Sequence, residues 1–401
     1  MMKPAVNPPP QVLELMHRLE QAGESCWVVG GCVRDSLMGR THGDWDMTTS
    51  ALPQRMLELF ADHRLVTAGL CHGTVGVVQD GSLYEITTYR LESGCSDHRH
   101  PDSVRFTAEI RQDLARRDLT VNAMAWHPQR GLLDCFDGRQ DLSRRLIRCV
   151  GDPERRFEED ALRILRAVRF ASTLDFFLEE QTLSAACKQA PLLRQISTER
   201  IWTELRKLLE GAAALRVLEQ AQPVLSQILP ELANTLPQAG LSSLPPDAVL
   251  RLSWLCLQAK AEPETVLRRL RCSNADCRRA HALAEVAKQS PDTVLGLRTA
   301  LRDFGIDAVQ DWISLIRAED ETRANDLCGA LALAQQGCWK RSELQIDGKQ
   351  LLELGCPRGK ELGCLLEELF ELCLQDRLEN RPQALRQKAS QLLEQKKGEE
   401  R

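Results

Sequence analysis

The hydrophobic pattern of this chain changes its period once, near Asp152, and that change points to a sheet-containing head followed by a long helical portion. Before it, short β-branched runs at Trp27 to Val29, Asp44 to Thr49, Thr74 to Gln79 and Leu83 to Tyr89 alternate with Gly-containing turns, as strands do. After it, Leu, Ala, Glu and Arg recur at helical spacing, broken by joints at Pro223, Pro230, Pro237, Pro245-Pro246, Pro263, Pro291 and Pro357. No fixed repeat recurs among these helices, which argues against a regular solenoid. With 401 residues the chain exceeds what one hydrophobic core supports, so two or more subdomains are expected.

Composition removes several classes. At 43% hydrophobic and 27% charged, with Gly and Pro scattered, the chain is neither disordered nor collagenous. No apolar run approaches the roughly 18 to 20 residues of a membrane span. Met1 to Pro10 lacks the basic-then-apolar order of a signal peptide, so a cytoplasmic location is expected. The 15 cysteines include no CxxC pair, and Cys26, Cys149, Cys256 and Cys364 sit in apolar surroundings; reduced, buried thiols are the expectation. Cys272 and Cys277 lack the further nearby ligands that a zinc knuckle needs. A net charge of −5 gives no global basic signature, so any RNA site must be a local patch. Both ends, Met1 to Pro10 and Lys396 to Arg401, are expected to fray.

The chemistry concentrates in four segments. Trp27-Val28-Val29 runs into Gly30-Gly31 and a short helix through Arg34 to Arg40, which turns backbone N–H groups outward as an anion cradle. Asp44 and Asp46 follow on a run with strand character, where a period of two sets both carboxylates on one face. Two such charges repel unless a cation lies between them, and hard oxygen ligands suit Mg²⁺. Glu85 is the candidate third acid, in a hairpin around Asp80-Gly81, on a strand face with Leu83 and Thr87 that otherwise looks packed; an exposed strand glutamate is the alternative. In Asp113 to Ala125, Arg116-Arg117-Asp118 opens an expected apolar helix; the group binds triphosphate and ribose, or else is a surface capping cluster. In Glu158 to Phe170, read as one helix, Asp160 and Arg163 are i, i+3 neighbours, which in isolation is a salt bridge on a solvated face. Arg169 lies nine residues past Asp160, half a turn around a continuous helix, and so is expected to face elsewhere.

These segments together resemble the class II tRNA nucleotidyltransferase and bacterial poly(A) polymerase family, and within it the CCA-adding enzymes. The resemblance rests on GGxVRD followed by DxD, on RRDxTxNAMA and on EDxLRxLRxxRF, in the family's order and spacing. It extends through His72-Gly73-Thr74-Val75, Tyr84 to Thr88 and Asp97 to Val104, and more loosely to Ile346-Asp347-Gly348-Lys349, Gly363 and Asn380. Departures are Cys32, where small residues are usual, Trp45 between the aspartates, and Arg358 to Glu361 in place of a Gly-Pro pair.

By that resemblance the fold is α+β: a nucleotidyltransferase-type head with a small mixed sheet over 1–150, then an all-helical neck (151–210), body (211–300) and tail (301–401). Gly30, Gly31 and Arg34 would hold triphosphate; Asp44 and Asp46, with Glu85 as third catalytic acid, would hold two Mg²⁺ ions. Arg117 and Asp118 would contact phosphate and ribose, and Asp160 with Arg163, assisted by Arg166 and Arg169, would read the base. The implied reaction adds C, C and A from CTP and ATP to the 3′-hydroxyl of tRNA, with pyrophosphate released. One ion would activate the hydroxyl and the other steady the leaving group. The helical remainder, including basic residues of Arg381 to Lys397, would bind the tRNA acceptor end and elbow. No membrane or protein partner is implied. A poly(A) polymerase, an enzyme adding only CC or only A, and a silent RNA-binding scaffold remain open as rivals. Glu92 to Thr107 is read as the flexible loop that CC-only relatives lack.

Overall fold

The computed structural model describes residues 6–41, 43–93, 103–235 and 238–399. It divides into two compact units, Met1–Pro237 and Gln238–Arg401. The first opens with α1 (Pro10–Gln21), β1 (Cys26–Val29), α2 (Gly31–Leu37), β2 (Met47–Thr49) and α3 (Pro53–Leu59). Then come β3 (Arg64–Val66), β4 (Thr74–Gln79), β5 (Ser82–Thr88), β6 (Arg90–Ser93) and β7 (Ser103–Phe106), followed by α4 (Ile110–Ala115), β8 (Met124–His127), β9 (Gly131–Asp134) and α5 (Gly138–Arg144). A parallel pair, β10 (Leu146–Ile147) with β11 (Phe177–Leu178), brackets α6 (Pro153–Glu159) and α7 (Leu162–Leu174), and α8 (Glu180–Gln189) and α9 (Thr198–Glu210) follow.

Seven strands form one mixed sheet in the order β3-β4-β5-β2-β1-β8-β9, in which only β2 and β5 pair in parallel. The β4–β5 hairpin turns through Asp80 and Gly81, both at positive φ (51° and 79°), the geometry that matches the twist of two adjoining strands. One sheet face buries Val28, Met47, Val75, Val77 and Ile86 against Val12, Leu15, Met16 and Leu19 of α1 and Met56 of α3. On the other face Trp27, Val29 and Ala125 pack with Tyr89 and Leu114. That second cluster leaves β3 to β5 open: Leu83 is 51% and Val66 38% exposed. Glu85 shares this open face with Leu83, whereas Tyr84, Ile86 and Thr88 are buried. The face expected to be packed is thus the solvent face, because α1 and α3 both lie on the other side.

Five further expectations are corrected. The strand read from Asp44 begins only at Met47; both aspartates lie in the preceding loop, although Asp46 still accepts a ladder-like bond from Val29 N–H (3.0 Å). The apolar helix expected after Arg117-Asp118 is a 3₁₀ turn, Thr120–Asn122, and then β8, whose residues satisfy their backbone against β1 and β9. The EDxLR segment is two helices, not one, since Asp160 is extended (φ −148°, ψ 105°) and ends α6. Cys364 is exposed, unlike the buried Cys26, Cys149 and Cys256, because it lies on the outer side of an amphipathic helix, Lys360–Leu374. At the N-terminal end Val6 is buried in the sheet core and Pro10 opens α1, so order begins before the expected fraying ends. The Asp97 to Val104 motif and much of the Glu92 to Thr107 loop fall outside the described side chains.

The second unit contains no strand among its described residues. Its last part has its own core, with Leu351, Leu365, Leu369, Phe370 and Leu385 at most 2% exposed. Arg298, 3% exposed, fastens it by donating to the end carbonyls of two helices, Ala334 (3.3 Å) and Leu374 (2.7 Å), and by pairing with Asp376. A cation at two helix C-termini satisfies orphan carbonyls and opposes their negative ends.

Candidate functional site

A cavity of about 460 Å³ opens where the β1–α2 turn, the segment after α4 and the start of α7 converge. Gly30, Gly31, Arg34, Asp46, Arg117, Asp118, Asp160, Arg163, Arg166 and Arg169 all line it, together with Arg116 of the Arg-Arg-Asp group and with Asn122 and Phe170, to which the sequence reading gave no role. Asp44 and Glu85 are not among the lining residues.

The cradle depends on Gly30. Its φ of 82° is a conformation that side chains disfavour, and a Cβ there would stand 2.9 Å from an Arg117 nitrogen. Arg34 is then fixed from two sides. Asp35 accepts from Nε and Nη2 at 2.9 and 2.8 Å, and Asn122 accepts from Nη1. Asn122 in turn donates to Asp118 at 3.5 Å, and Asp118 accepts from Arg166 Nε at 2.7 Å and from Leu119 N–H at 2.9 Å. One chain of polar contacts therefore runs Asp35, Arg34, Asn122, Asp118, Arg166, and joins three motifs that are far apart in sequence. Burial works to raise the Asp118 pKa, but Arg166, the Leu119 N–H and Arg163 outweigh it and hold the carboxyl below its ordinary value. The Asp118 charge raises the Arg166 pKa in return.

Arg116 and Arg117 are both held by Asp113, which is fully buried: Arg116 Nη2 approaches at 2.9 Å and Arg117 Nη2 at 3.7 Å. Burial pushes the Arg117 pKa down, against the charge of Asp113, and its Nε has no hydrogen-bond partner among the described residues. A buried guanidinium with an unused donor suits an anion entering from the cavity.

Phe170 is enclosed by cations. The Arg169 guanidinium carbon stands 3.5 Å from the ring centroid, Arg34 5.0 Å and Arg166 5.7 Å. Arg169 is anchored behind the ring by Glu204 of α9 at 2.8 Å, a pair in which both side chains are buried. Burial lowers the Arg169 pKa and Glu204 opposes that shift. Arg169 thus does reach the cavity, because the break at Asp160 invalidates the continuous-helix count; within α7, Arg163, Arg166 and Arg169 follow at intervals of three.

Asp160 and Arg163 come together on the same wall but are not paired. Asp160 Oδ1 caps Leu162 N–H at 3.0 Å, and Oδ2 stands 3.8 Å from Arg200 of α9. Arg163 donates to Glu159 at 2.8 Å and to the Arg116 carbonyl at 3.3 Å. Burial raises the Asp160 pKa, while the Leu162 N–H, Arg200, Arg163 and Arg166 pull it down without cancelling the rise.

Asp46 stays open to solvent at the cavity mouth. Its crowded surroundings raise its pKa, Arg117 opposes the rise, and the nearby Asp44 charge adds to it. Met47 pairs with Ile86, so Asp46 and Glu85 each precede the paired stretch of β2 and β5. Among the described residues, no cluster of three or more His, Cys, Asp or Glu side chains is placed to hold a metal. The carboxylate end offers two mutually repelling aspartates, with Glu85 exposed beside them in register.

Asn122 and Phe170 were missed because their signal is three-dimensional. Asn122 acts only as the link between Arg34 and Asp118, and Phe170 reads as one more core aromatic. Glu204, which anchors Arg169, lies outside the quoted motifs altogether.

Comparison with known proteins agrees with this layout. The Poly A polymerase head domain profile matches residues 26–148, the RNA and SrmB binding site of polymerase A matches 175–236, and tRNA nucleotidyltransferase domain 2 matches 247–389. The CCA-adding enzyme of Lactobacillus helveticus is 36% identical over 397 residues, covering 94% of this chain and 95% of that one. Among solved structures, the Bacillus stearothermophilus CCA-adding enzyme in complex with CTP is 31% identical with a TM-score of 0.78, covering 98% of this chain and all of that one. The Thermotoga maritima CCA-adding enzyme complexed with tRNA shares the fold, with a TM-score of 0.71 at 20% identity over 96% of each chain.

Proposed function

The chain belongs to the family of CCA-adding enzymes, and we propose that it adds C, C and A in turn, from CTP and ATP, to the 3′ end of tRNA. What best supports this reading is that one cavity gathers an anion cradle, a carboxylate at its mouth and a carboxylate–guanidinium wall suited to a base edge. In the reaction the RNA 3′-oxygen forms a bond to the α-phosphorus, the α–β phosphoanhydride bond breaks, and pyrophosphate leaves with its electron pair.

On this reading the triphosphate lies against the Gly30-Gly31 turn, with Arg34 and Arg117 as guanidinium partners and Arg117 Nε taking a phosphate oxygen. Asp118, kept ionised by Arg166, accepts from a ribose hydroxyl. Cytosine and adenine each present an amino donor beside a ring-nitrogen acceptor. Asp160 Oδ2 accepts from the amino group and Arg163 donates to the ring nitrogen, each giving up its present partner, Arg200 or Glu159. Uracil and guanine offer the reverse pattern and meet two mismatched partners. Arg166 and Arg169 hold that wall in place through Asp118, Phe170 and Glu204. The protein thereby serves as its own template.

Two loop carboxylates with raised mutual repulsion and no hydrogen-bond donor among the described residues fit Mg²⁺, which needs one or two carboxylates and completes its shell with water and phosphate. Asp44 and Asp46 would hold it, with Glu85 as the third acid for a second ion; bound there, Mg²⁺ stabilises charge on the attacking and leaving oxygens. We assign 1–150 to the head, 151–210 to the neck, 211–300 to the body and 301–401 to the tail, with a cytoplasmic location. The helices of the last two would bind tRNA, Arg381, Arg386 and Lys388 among their contacts.

The test is one incubation with Mg²⁺, labelled CTP and ATP, and tRNA ending before CCA, resolved at single-nucleotide steps beside an unrelated RNA. Three additions in the order C, C, A on tRNA alone are expected. A long A ladder on both RNAs would indicate a poly(A) polymerase, and addition of A only to tRNA ending in CC a partial enzyme.

A further inference from the structure

A second cavity, of about 410 Å³, shares Arg34, Arg169 and Phe170 with the first, so these three side chains form a partition between them. Its other walls include Arg40 and Thr41 after α2, Thr173 near the end of α7 and Lys207 in the last turn of α9. The nucleotide chemistry described above makes no use of this space.

Its charges do not balance. Arg34 is answered by Asp35 and Arg169 by Glu204, while the cavity's other acid, Glu210, is taken by Arg206 at 2.8 Å. Arg40 has only a marginal contact to the Leu174 carbonyl at 3.5 Å, and Lys207 has no acidic partner among the described residues. Two cations are thus left over. Thr41 and Thr173 add hydroxyls that make no hydrogen bond among the described residues. Arg169, 9% exposed, has its guanidinium fixed among the described residues at Nε alone, which leaves its Nη groups for the space around it. Several donors, two surplus positive charges and few competing acceptors suit a phosphate group rather than an apolar or cationic ligand.

We propose that this cavity is a second phosphate-binding site, in which Arg40 and Lys207 take a phosphate either of pyrophosphate leaving the reaction or of the RNA strand being extended. Arg34 faces both cavities, so an occupant of the second stands one guanidinium away from the triphosphate in the first. A phosphate there is near enough to be a product in transit or the backbone of the strand that delivers the 3′-hydroxyl. The two sources rest on the proposed nucleotidyl transfer; incorporation of C, C and A by the unaltered protein, scored in the same series, tests that reading separately.

The experiment compares the full chain with the double variant Arg40→Gln, Lys207→Gln. Both side chains are exposed, and a thermal melt checks that the fold is kept. Three quantities are read: inhibition by added inorganic pyrophosphate, affinity for tRNA lacking CCA between about 50 and 200 mM salt, and affinity for CTP. The site predicts one of two results, with CTP affinity unchanged. If pyrophosphate is the ligand, its inhibition weakens about five- to tenfold. If RNA is the ligand, tRNA binding weakens by about as much and the log–log salt slope becomes shallower by about 0.7, the value for one single-strand phosphate. Unchanged pyrophosphate inhibition and unchanged tRNA binding would overturn the proposal and leave Arg40 and Lys207 as counter-charges to the C-terminal ends of α7 and α9. An equal loss of CTP affinity would overturn it too, since the two cations would then belong to the nucleotide pocket.

Discussion

The two ends of the candidate site are built on opposite plans. At the guanidinium end each charged group already has a partner: Arg34 with Asp35 and Asn122, Asp118 with Arg166, Arg169 with Glu204 behind the Phe170 ring. At the carboxylate end Asp44 and Asp46 lie in a loop ahead of β2, open to solvent, and repel each other. The first end is held by paired charges of opposite sign, and the second brings like charges together. On the proposed function the difference divides selectivity from chemistry: the chain's own side chains would read the base, and a cation would join the reacting end.

The largest effect expected on that contrast comes from Asp46→Ala, which should lower single-turnover incorporation by at least about a thousandfold. Affinity for tRNA should stay within a few-fold by filter binding; undiminished incorporation would remove Asp46 from the metal end. Asp160→Ala or Arg163→Ala should instead keep incorporation of C and A measurable while discrimination against UTP and GTP falls about a hundredfold. Unchanged selectivity in four parallel kcat/KM measurements would end the protein-template reading. Glu204→Ala leaves Arg169 buried without its partner and should cost about 3 kcal/mol in urea unfolding. A cost near zero would mean that α9 does not brace the partition. Phe170→Leu keeps an apolar side chain but loses the ring face, and should weaken CTP binding about fivefold, with recovery in Phe170→Tyr.

The smallest effect is a pH dependence. Because its pKa is raised, Asp160 protonates at a higher pH than an ordinary aspartate, and a protonated carboxyl donates where it must accept. The preference for C and A over U and G should therefore decline as pH falls through that raised value and recover as pH rises. Asp118, held below its ordinary pKa, stays ionised over the same range, so overall nucleotide affinity should change less than selectivity. A CTP-to-UTP ratio that is flat from neutral to mildly acid pH would contradict the role of Asp160.

Much of this was legible in the sequence, and the parts that were not have a common cause. The change of period near Asp152 separates the mixed sheet from the helices that follow, and Asp80-Gly81 marks its hairpin, because both are local signals of periodicity and backbone conformation. The motif residues also announce themselves, since a glycine turn into a short helix faces N–H groups outward and two aspartates at a spacing of two repel each other. What local pattern cannot carry is which face of a strand the helices cover. Glu85 was placed on a packed face, yet α1 and α3 settle on the other side. Nor does a run of good helix formers show where a helix breaks: Asp160 leaves the helix because its carboxylate caps Leu162, and that one residue turns Arg169 into the site. Asn122 matters because it joins nearby Asp118 to Arg34, 88 residues away, Glu204 because it anchors Arg169, 35 residues away, and Phe170 through a ring that three arginines share.

The claim that base reading belongs to the protein and needs no metal can be tested by equilibrium binding. Dissociation constants for CTP, ATP, UTP and GTP would be measured with the full chain, first in excess chelator and then in Mg²⁺. The account predicts that CTP and ATP are preferred over UTP and GTP by the same ratio in both conditions, with Mg²⁺ tightening all four together. Discrimination that vanishes in chelator and appears only with Mg²⁺ would contradict it, because the wall formed by Asp160 and Arg163 would then be assembled by the metal end.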